Sequence, residues 1–385
     1  MKKKLVIGIF LGILYMPAIL FGVRALSGKK ADVELKGYFD EVPVPQASVD
    51  SIVSGEFQGS FTNWFNAEFP PRGVLIKTYN SLRFDLFGLA NNIIGEDRYI
   101  YEYAYVSSEL MLEPQNNMAI TESREKLEDY VMKLQAVRDA LRAQGKGFVF
   151  YISASKADMC RDRLPKSYLV QEAKDGIRSV DYLKELLTKT DIDWFYAPDI
   201  ATDLPCKPFY STGIHWSRPF EQKVTLEVLR RVGMETGETY RSWELTELKT
   251  QKEPFSRDCD VFDTMNIWEP PFEDAYYEYD TQKVIPEEYD HLNILMQGGS
   301  FAHGVWGDVW AHYPEEKIQY INYCEYLYNE TGEFKVLDND WGNLALTELV
   351  ENADCVVIEI NEAVITNYSN GFVDLLYEYL CADRG

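Results

Sequence analysis

The alternation of apolar and polar positions along the chain changes period several times. Between Thr121 and Gln144, the residues Leu127, Tyr130, Val131, Leu134, Val137 and Leu141 recur every three or four positions. That spacing predicts a helix with one buried face, and Gly145 is its stop. Directly after it comes Gly147-Phe148-Val149-Phe150-Tyr151-Ile152, an unbroken apolar run of strand length. Leu292-Asn293-Ile294-Leu295-Met296 and Val356-Val357-Ile358-Glu359-Ile360 have the same character, and Lys317-Ile318-Gln319-Tyr320-Ile321 reads as a further strand. Runs buried on both faces and interleaved with helical stretches predict an α/β fold, a mostly parallel sheet with helices on both sides. In such sheets ligands collect at the carboxyl ends of the strands, so the residues after each run are the ones to inspect.

The N-terminus has no amphipathic period. Leu5 to Val23 is apolar and free of charge, and Lys2, Lys3 and Lys4 precede it. This length and flank predict a transmembrane anchor with its N-terminus in the cytoplasm and the rest of the chain outside. The competing reading is a cleaved signal peptide ending near Ala25-Leu26-Ser27, against which the length of the apolar run speaks. Residues 31–60 are polar and include Val42-Pro43-Val44-Pro45, which reads as a linker. The expected division is therefore a tip and anchor over 1–30, a linker over 31–60 and one extracytoplasmic domain over 61–385.

Charge narrows the function classes. All six charged residues of the first thirty positions are basic. The remainder sets 32 of the 38 basic residues against all 62 acidic ones. A domain this acidic repels phosphate backbones, which excludes nucleic acid as a partner. The six cysteines lie at 160, 206, 259, 324, 355 and 381 with no C-x-x-C pair, so no zinc ribbon or thioredoxin motif is present. Outside the cytoplasm disulfides are permitted, and Cys160 with Cys206 is the expected pair. There is no P-loop, no G-x-G-x-x-G and no His/Cys cluster, so neither a metal nor a nucleotide cofactor is expected.

Two segments carry candidate chemistry. After the run ending at Met296 comes Gln297-Gly298-Gly299-Ser300-Phe301. A serine on a glycine-flanked strand-to-helix turn exposes its hydroxyl and points its own N–H at an oxyanion position; an ordinary helix cap has the same look. The second segment is Phe209-Tyr210-Ser211-Thr212-Gly213-Ile214-His215-Trp216. Of the four histidines, at 215, 291, 303 and 312, His215 is the best placed to serve as a base for serine. Asn361, just past the last strand run, is a candidate oxyanion donor by the strand-end rule, or simply the residue that ends the strand.

Taken together, these pieces resemble the SGNH hydrolase-like family of AlgJ/AlgX-type alginate O-acetyltransferases, close to bacterial D-H-H-W proteins. The resemblance spans about residues 60–365. It rests on Asn63-Trp64-Phe65-Asn66 with Phe69-Pro70-Pro71-Arg72, on Ile94-Gly95-Glu96-Asp97-Arg98-Tyr99-Ile100-Tyr101, and on Ser155-Lys156 with Leu164-Pro165. Thr212-Gly213-Ile214-His215-Trp216 is similar to the family's T-D-x-H-W, and Gly298-Gly299-Ser300-Phe301 to its G-D-S-F. The family pattern implies Ser300 as nucleophile and His215 as its base. It implies O-acetylation of a surface or secreted polysaccharide, with an MBOAT-type membrane protein supplying acetyl groups.

The triad aspartate of the pattern falls on Gly213, which has no carboxylate, and the Asp of G-D-S-F on Gly299. An acid elsewhere in the chain (Asp203, Asp260 and Asp308 are the candidates) or a backbone carbonyl would then orient His215; otherwise the protein is an inactive scaffold or glycan binder. A carbohydrate esterase is the other enzymatic alternative. Glu362 matches a family position for which the sequence supplies no chemistry.

Overall fold

The computed structural model describes residues 2–27, 32–37, 42–69, 71–112, 123–173, 176–268 and 274–381. The chain divides into two units, Met1–Asn91 with Val261–Phe272, and Asn92–Asp260 with Glu273–Gly385.

The larger unit is built on a seven-stranded sheet. Its strands are β1 (Gly147–Ser153), β2 (Asp193–Tyr196), β3 (Asn293–Gly298), β4 (Lys317–Asn322), β5 (Tyr326–Tyr328), β6 (Phe334–Val336) and β7 (Cys355–Asn361), in the order β6-β5-β4-β3-β7-β1-β2. The five strands from β4 to β2 are parallel, and β5 and β6 add an antiparallel edge. The four runs read from the sequence are β1, β3, β4 and β7, four of the five strands that have a neighbour on each side. β7 lies between β1 and β3, in register Cys355 with Gly147 and with Ile294.

Pleating divides each inner strand between two cores. Val149, Tyr151, Ile294, Met296, Ile318, Tyr320 and Val357 face one side. There they meet α3 (Arg218–Thr236) through Phe220, Val224 and Val228, and α4 (Ser300–His312) through Phe301, Val305 and Trp306. Phe148, Phe150, Ile152, Leu295, Val356, Ile358 and Ile360 face the other side. That side is covered by α1 (Arg124–Ala143), α2 (Ser179–Leu187), α5 (Leu346–Asn352) and α6 (Phe372–Cys381). The helix expected over 121–144 is α1, started by the Ser123 hydroxyl accepting from the Lys126 N–H at 3.3 Å. A helix-on-sheet-on-helix sandwich follows directly from strands apolar on both faces, as expected. A long antiparallel ribbon, Ser242–Gln251 with Tyr276–Val284, is added to this frame; its mixed polarity conceals it in the sequence.

In the smaller unit, helix Arg72–Phe87 begins after Pro71, and the Asp32 carboxylate accepts from the N–H groups of Gly73 and Val74 in its first turn at 2.9 and 3.1 Å. The region read as a linker holds a short helix, Val49–Ser54, capped by Ser48. The apolar N-terminal run lies in helix Lys2–Ser27. No single described helix is long and apolar enough to cross a membrane. Lys3–Gly12 and Leu14–Val23, bent by 41° at the break, pass that test of length and composition together. Cys160 and Cys206 are both free thiols. The pairing expected of Cys160 with Cys206 is therefore absent: Cys160 is packed in the core against Tyr101 and Leu164 while Cys206 is half-buried near Ser217.

Candidate active site

The parallel strands end on one edge of the sheet, and the candidate residues gather there. Ser300 opens α4 one residue beyond β3, with Gly299 as the cap in extended conformation. His215 lies in the loop before α3. Its ring is fixed from behind by aromatic packing: Phe301 lies 4.8 Å from the imidazole and meets Trp216 edge-on at 4.9 Å. The fold brings Ser300 Oγ to 2.7 Å from His215 Nε2 although 85 residues separate the two.

The carboxylate that meets the imidazole is that of Asp260, one of the three acids named above. Its Oδ2 lies 2.5 Å from His215 Nδ1, and its Oδ1 accepts from the Ile214 N–H at 2.9 Å. One carboxylate thus fixes both the ring and the backbone beside it. Nδ1 then carries the proton, and Nε2 is left as the acceptor for the serine hydroxyl. The other two acids are elsewhere. Asp203 is exposed, and Asp308 is buried on α4, paired with Arg218 and Thr225.

Gly213, the position where the motif leads one to expect an aspartate, is filled rather than vacant. A Cβ built there would stand 2.6 Å from the Arg257 carbonyl oxygen and 2.7 Å from that of Asp258. The segment that delivers Asp260 occupies the space a side chain at 213 would need. The Thr212 hydroxyl donates to the Asp258 carbonyl at 2.7 Å and ties the two segments together. Burial pushes the Asp258 carboxyl up to about 7, against the donation it receives from the Phe255 N–H.

Lys156 reinforces the histidine loop from below. Its fully buried ammonium donates to the carbonyls of Ile100 (2.7 Å), Ser211 (2.9 Å) and Gly213 (2.7 Å). Burial pushes this amine down to about 7, against the nearby charges of Asp260 and Asp274, which favour its charged form. Asp274 holds the same loop from another side, accepting from both the N–H and the hydroxyl of Ser211 at 2.6 Å.

Two buried carboxylates belong to the end of β7. Glu359 accepts from the Gly299 N–H at 2.7 Å and pairs with the Ser153 hydroxyl, tying the turn before Ser300 to β1; burial raises its pKa. Glu362 accepts from the Ser155 N–H at 2.5 Å and from the Tyr196 hydroxyl, and burial pushes it up to about 8. Its chemistry, opaque in the sequence, is that of a buried acid holding the ends of β1 and β2 against β7.

Asn361 is placed differently from the expectation. Its amide donates both hydrogens, to the Ser153 hydroxyl at 3.0 Å and the Ala154 carbonyl at 2.9 Å, and its Oδ1 accepts from the Ala363 N–H at 3.0 Å. With every polar atom committed it ties strand ends together, and the role of oxyanion donor does not fit it. The remaining histidines stand away from the pair. His303 is enclosed by Trp306, Tyr320 and Tyr328, His312 stacks on Trp243, and His291 is exposed near Glu316.

Beside Ser300 lies a small open cleft, lined among others by Tyr105, Tyr323, Glu359, Asn367 and Asn370. A half-buried line of hydroxyl, imidazole and carboxylate with one open side has the parts needed for acyl transfer through a serine ester. Among the described residues no cluster of His, Cys, Asp and Glu has the form of a metal site.

No family model matches the chain, and no curated protein matches it. Solved structures similar to it include the O-acetyltransferase domain of Pseudomonas putida AlgJ, 14% identical, with a TM-score of 0.42 over 76% of this chain and 100% of that one. Pseudomonas aeruginosa AlgX is 12% identical, with a TM-score of 0.42 over 76% of this chain and 69% of its own. Bacillus cereus PatB1 is 9% identical, with a TM-score of 0.38 over 66% of this chain and 93% of that one. AlgJ and AlgX are the proteins whose family the sequence motifs resemble.

Proposed function

We propose that this chain is an O-acetyltransferase of a cell-surface or secreted polysaccharide, working through an acetyl ester on Ser300. The observation that carries the reading is the continuous line Ser300 Oγ–His215 Nε2 and His215 Nδ1–Asp260 Oδ2, at 2.7 and 2.5 Å, on the carboxyl edge of a parallel sheet. Its motifs' likeness to the AlgJ/AlgX-type family selects acetyl as the group and a sugar hydroxyl as the acceptor. It also selects an MBOAT-type membrane protein as the partner that supplies acetyl.

In this mechanism His215 Nε2 takes the Ser300 proton as Oγ attacks the acetyl carbonyl of the donor. The imidazolium formed is stabilised by Asp260 and returns the proton to the departing donor group, leaving acetyl-Ser300. A sugar hydroxyl then enters, gives its proton to Nε2 and attacks the ester carbonyl. Collapse of the second tetrahedral adduct delivers the sugar acetate, and the proton returns to Oγ. The uncharged run Leu5–Val23 behind three lysines supports a single-pass anchor that holds the domain on the extracytoplasmic side of the membrane, beside its donor.

The test is to incubate the purified protein with an activated acetyl ester and map the acetyl adduct by mass spectrometry. The adduct is expected on Ser300 and absent from Ser300→Ala. Partition of the adduct between free acetate and acetylated oligosaccharide, as acceptor is raised, separates transferase from esterase. A protein that forms no adduct with the ester or with a serine-directed phosphonate is a scaffold, and the proposal fails.

A further inference from the structure

The cleft beside Ser300 needs donors for the oxyanion, and Asn361 has none to offer. Another group already stands at that place. The hydroxyl of Tyr323 accepts from the Ser300 N–H at 3.2 Å and lies 3.5 Å from Ser300 Oγ. An oxyanion on a carbon bonded to Oγ must sit about 2.7–3.1 Å from the same N–H. The phenol oxygen therefore occupies, in the resting protein, roughly the position the substrate oxygen will take.

This placement is built, not incidental. Tyr323 follows β4 with φ of 52°, a left-handed conformation that a non-glycine residue adopts only where its surroundings impose it. Its backbone is held on both sides: the N–H donates to the Gly298 carbonyl at 2.8 Å, and the carbonyl accepts from the Gln297 side chain at 3.3 Å. The ring then lies across Gly299. A Cβ at 299 would meet the ring at 2.9 Å and the hydroxyl at 3.0 Å. The position where the family's G-D-S-F carries aspartate is thus glycine here because the Tyr323 ring lies over it.

We infer that Tyr323 is a catalytic residue of the acyl-transfer reaction, its phenol hydroxyl donating to the tetrahedral oxyanion beside the Ser300 N–H. This rests on Ser300 being the nucleophile. When the acyl carbonyl enters, the phenol gives up its bond from the Ser300 N–H and shifts aside. Its hydrogen, released from the long contact with Oγ, turns to the new oxygen. No proton is transferred: the phenol keeps its hydrogen throughout and stabilises charge.

The experiment compares wild type, Tyr323→Phe and Ser300→Ala in single-turnover acetylation by an activated acetyl ester. Melting curves and the affinity for a boronic acid, which forms a tetrahedral anionic adduct on serine, are measured alongside. Tyr323→Phe keeps the ring over Gly299, so its melting temperature is expected to match wild type. Its acetylation rate is expected to fall about 10²–10³-fold. Boronate binding is expected to weaken in parallel, with KM for the ester little changed. A purely structural role would instead move the melting temperature and KM.

Unchanged acetylation and boronate affinity in a folded Tyr323→Phe overturn the assignment. A faster rate overturns it too, and makes the hydroxyl a plug. Should Tyr323→Phe melt early, Tyr323→His keeps a donor on a ring, and failure to regain more rate than Tyr323→Leu likewise overturns it. If wild-type Ser300 itself takes no acetyl, the serine reading falls and this one with it, an outcome distinct from active wild type with indifferent Tyr323→Phe.

Discussion

Restoring the motif's aspartate, by Gly213→Asp, is expected to damage the protein. The new Cβ would start 2.6 Å from the Arg257 carbonyl oxygen and 2.7 Å from that of Asp258, below the 3.0 Å that real side chains essentially never cross. Both obstacles are backbone, so no side chain can swing aside. The segment must retreat by about 0.4–0.8 Å to reach ordinary contact, and a displacement near 1 Å costs about 10²-fold in a positioned reaction. The same segment carries Asp260 two residues later and accepts the Thr212 hydroxyl. Acyl-enzyme formation in Gly213→Asp is thus expected to fall about 10–100-fold, and overpacking to destabilise the fold by about 1–3 kcal/mol. Gly213→Ala carries the same clash without the charge and should lose nearly as much.

The assay is the rate of Ser300 acetylation by an activated ester, with urea titration for stability. The informative comparison is the double variant Asp260→Asn/Gly213→Asp. If Asp260 is the orienting acid and 213 is closed, the double variant is no better than Asp260→Asn. Recovery of activity in the double variant, or activity in Gly213→Asp at or above wild type, would refute the reasoning.

Asp260→Asn alone is expected to lower acetylation by about three to four orders of magnitude, because an amide leaves the imidazole free to adopt the wrong tautomer; single-turnover kinetics at fixed pH measure it. Lys156→Met would take a donor from three buried carbonyls, of which that of Ser211 keeps the Ile100 N–H; at about 1–3 kcal/mol for each group left unpaired before relaxation, the melting temperature should drop and the surviving enzyme should show lower kcat as the His215 loop loosens. Glu362 has its pKa raised to about 8 from 4.5, so its contribution to stability is complete below about pH 4.5 and is lost as pH rises through about 8. Glu362→Gln, which imitates the neutral acid, should remove a pH-dependent loss of about 3–5 kcal/mol between those limits, read by denaturant titration at pH 5 and 8; an unchanged slope would show that the carboxyl is ionised throughout.

The inner sheet was legible because β1, β3, β4 and β7 are apolar on both faces, and such runs have few other solutions. β2 escaped notice since Asp193-Trp194-Phe195-Tyr196 is only four residues long, and the ribbon Ser242–Gln251 with Tyr276–Val284 because its exposed strands carry no clear period. Ser300 and His215 could be named from local pattern: glycines around a serine after a strand, aromatics around a histidine. Asp260 could only be put in a short list. It lies 45 residues past His215, and nothing in Cys259-Asp260-Val261 distinguishes it from many other acids. Asn361 misled for the opposite reason: the strand-end rule places a residue on the right edge but does not say whether its amide is already engaged. Tyr323 had no local mark at all, since its relation to Ser300 passes through the neighbouring strands β3 and β4.

The two glycines at motif positions explain each other once the space around them is considered. A missing carboxylate in a motif signals lost function only if the vacated volume is left empty. At 213 the volume is taken by the backbone that brings Asp260 to the imidazole; at 299 it is taken by the Tyr323 ring, which brings a hydroxyl to the Ser300 N–H. In both places glycine stands where another segment approaches closely, and that segment carries a polar group beside the same atoms. Glycine is the residue that close approach requires, since any Cβ would push the incoming group away. A side chain at 213 and the present course of the 257–260 segment are therefore incompatible, and that course is what sets Asp260 beside His215.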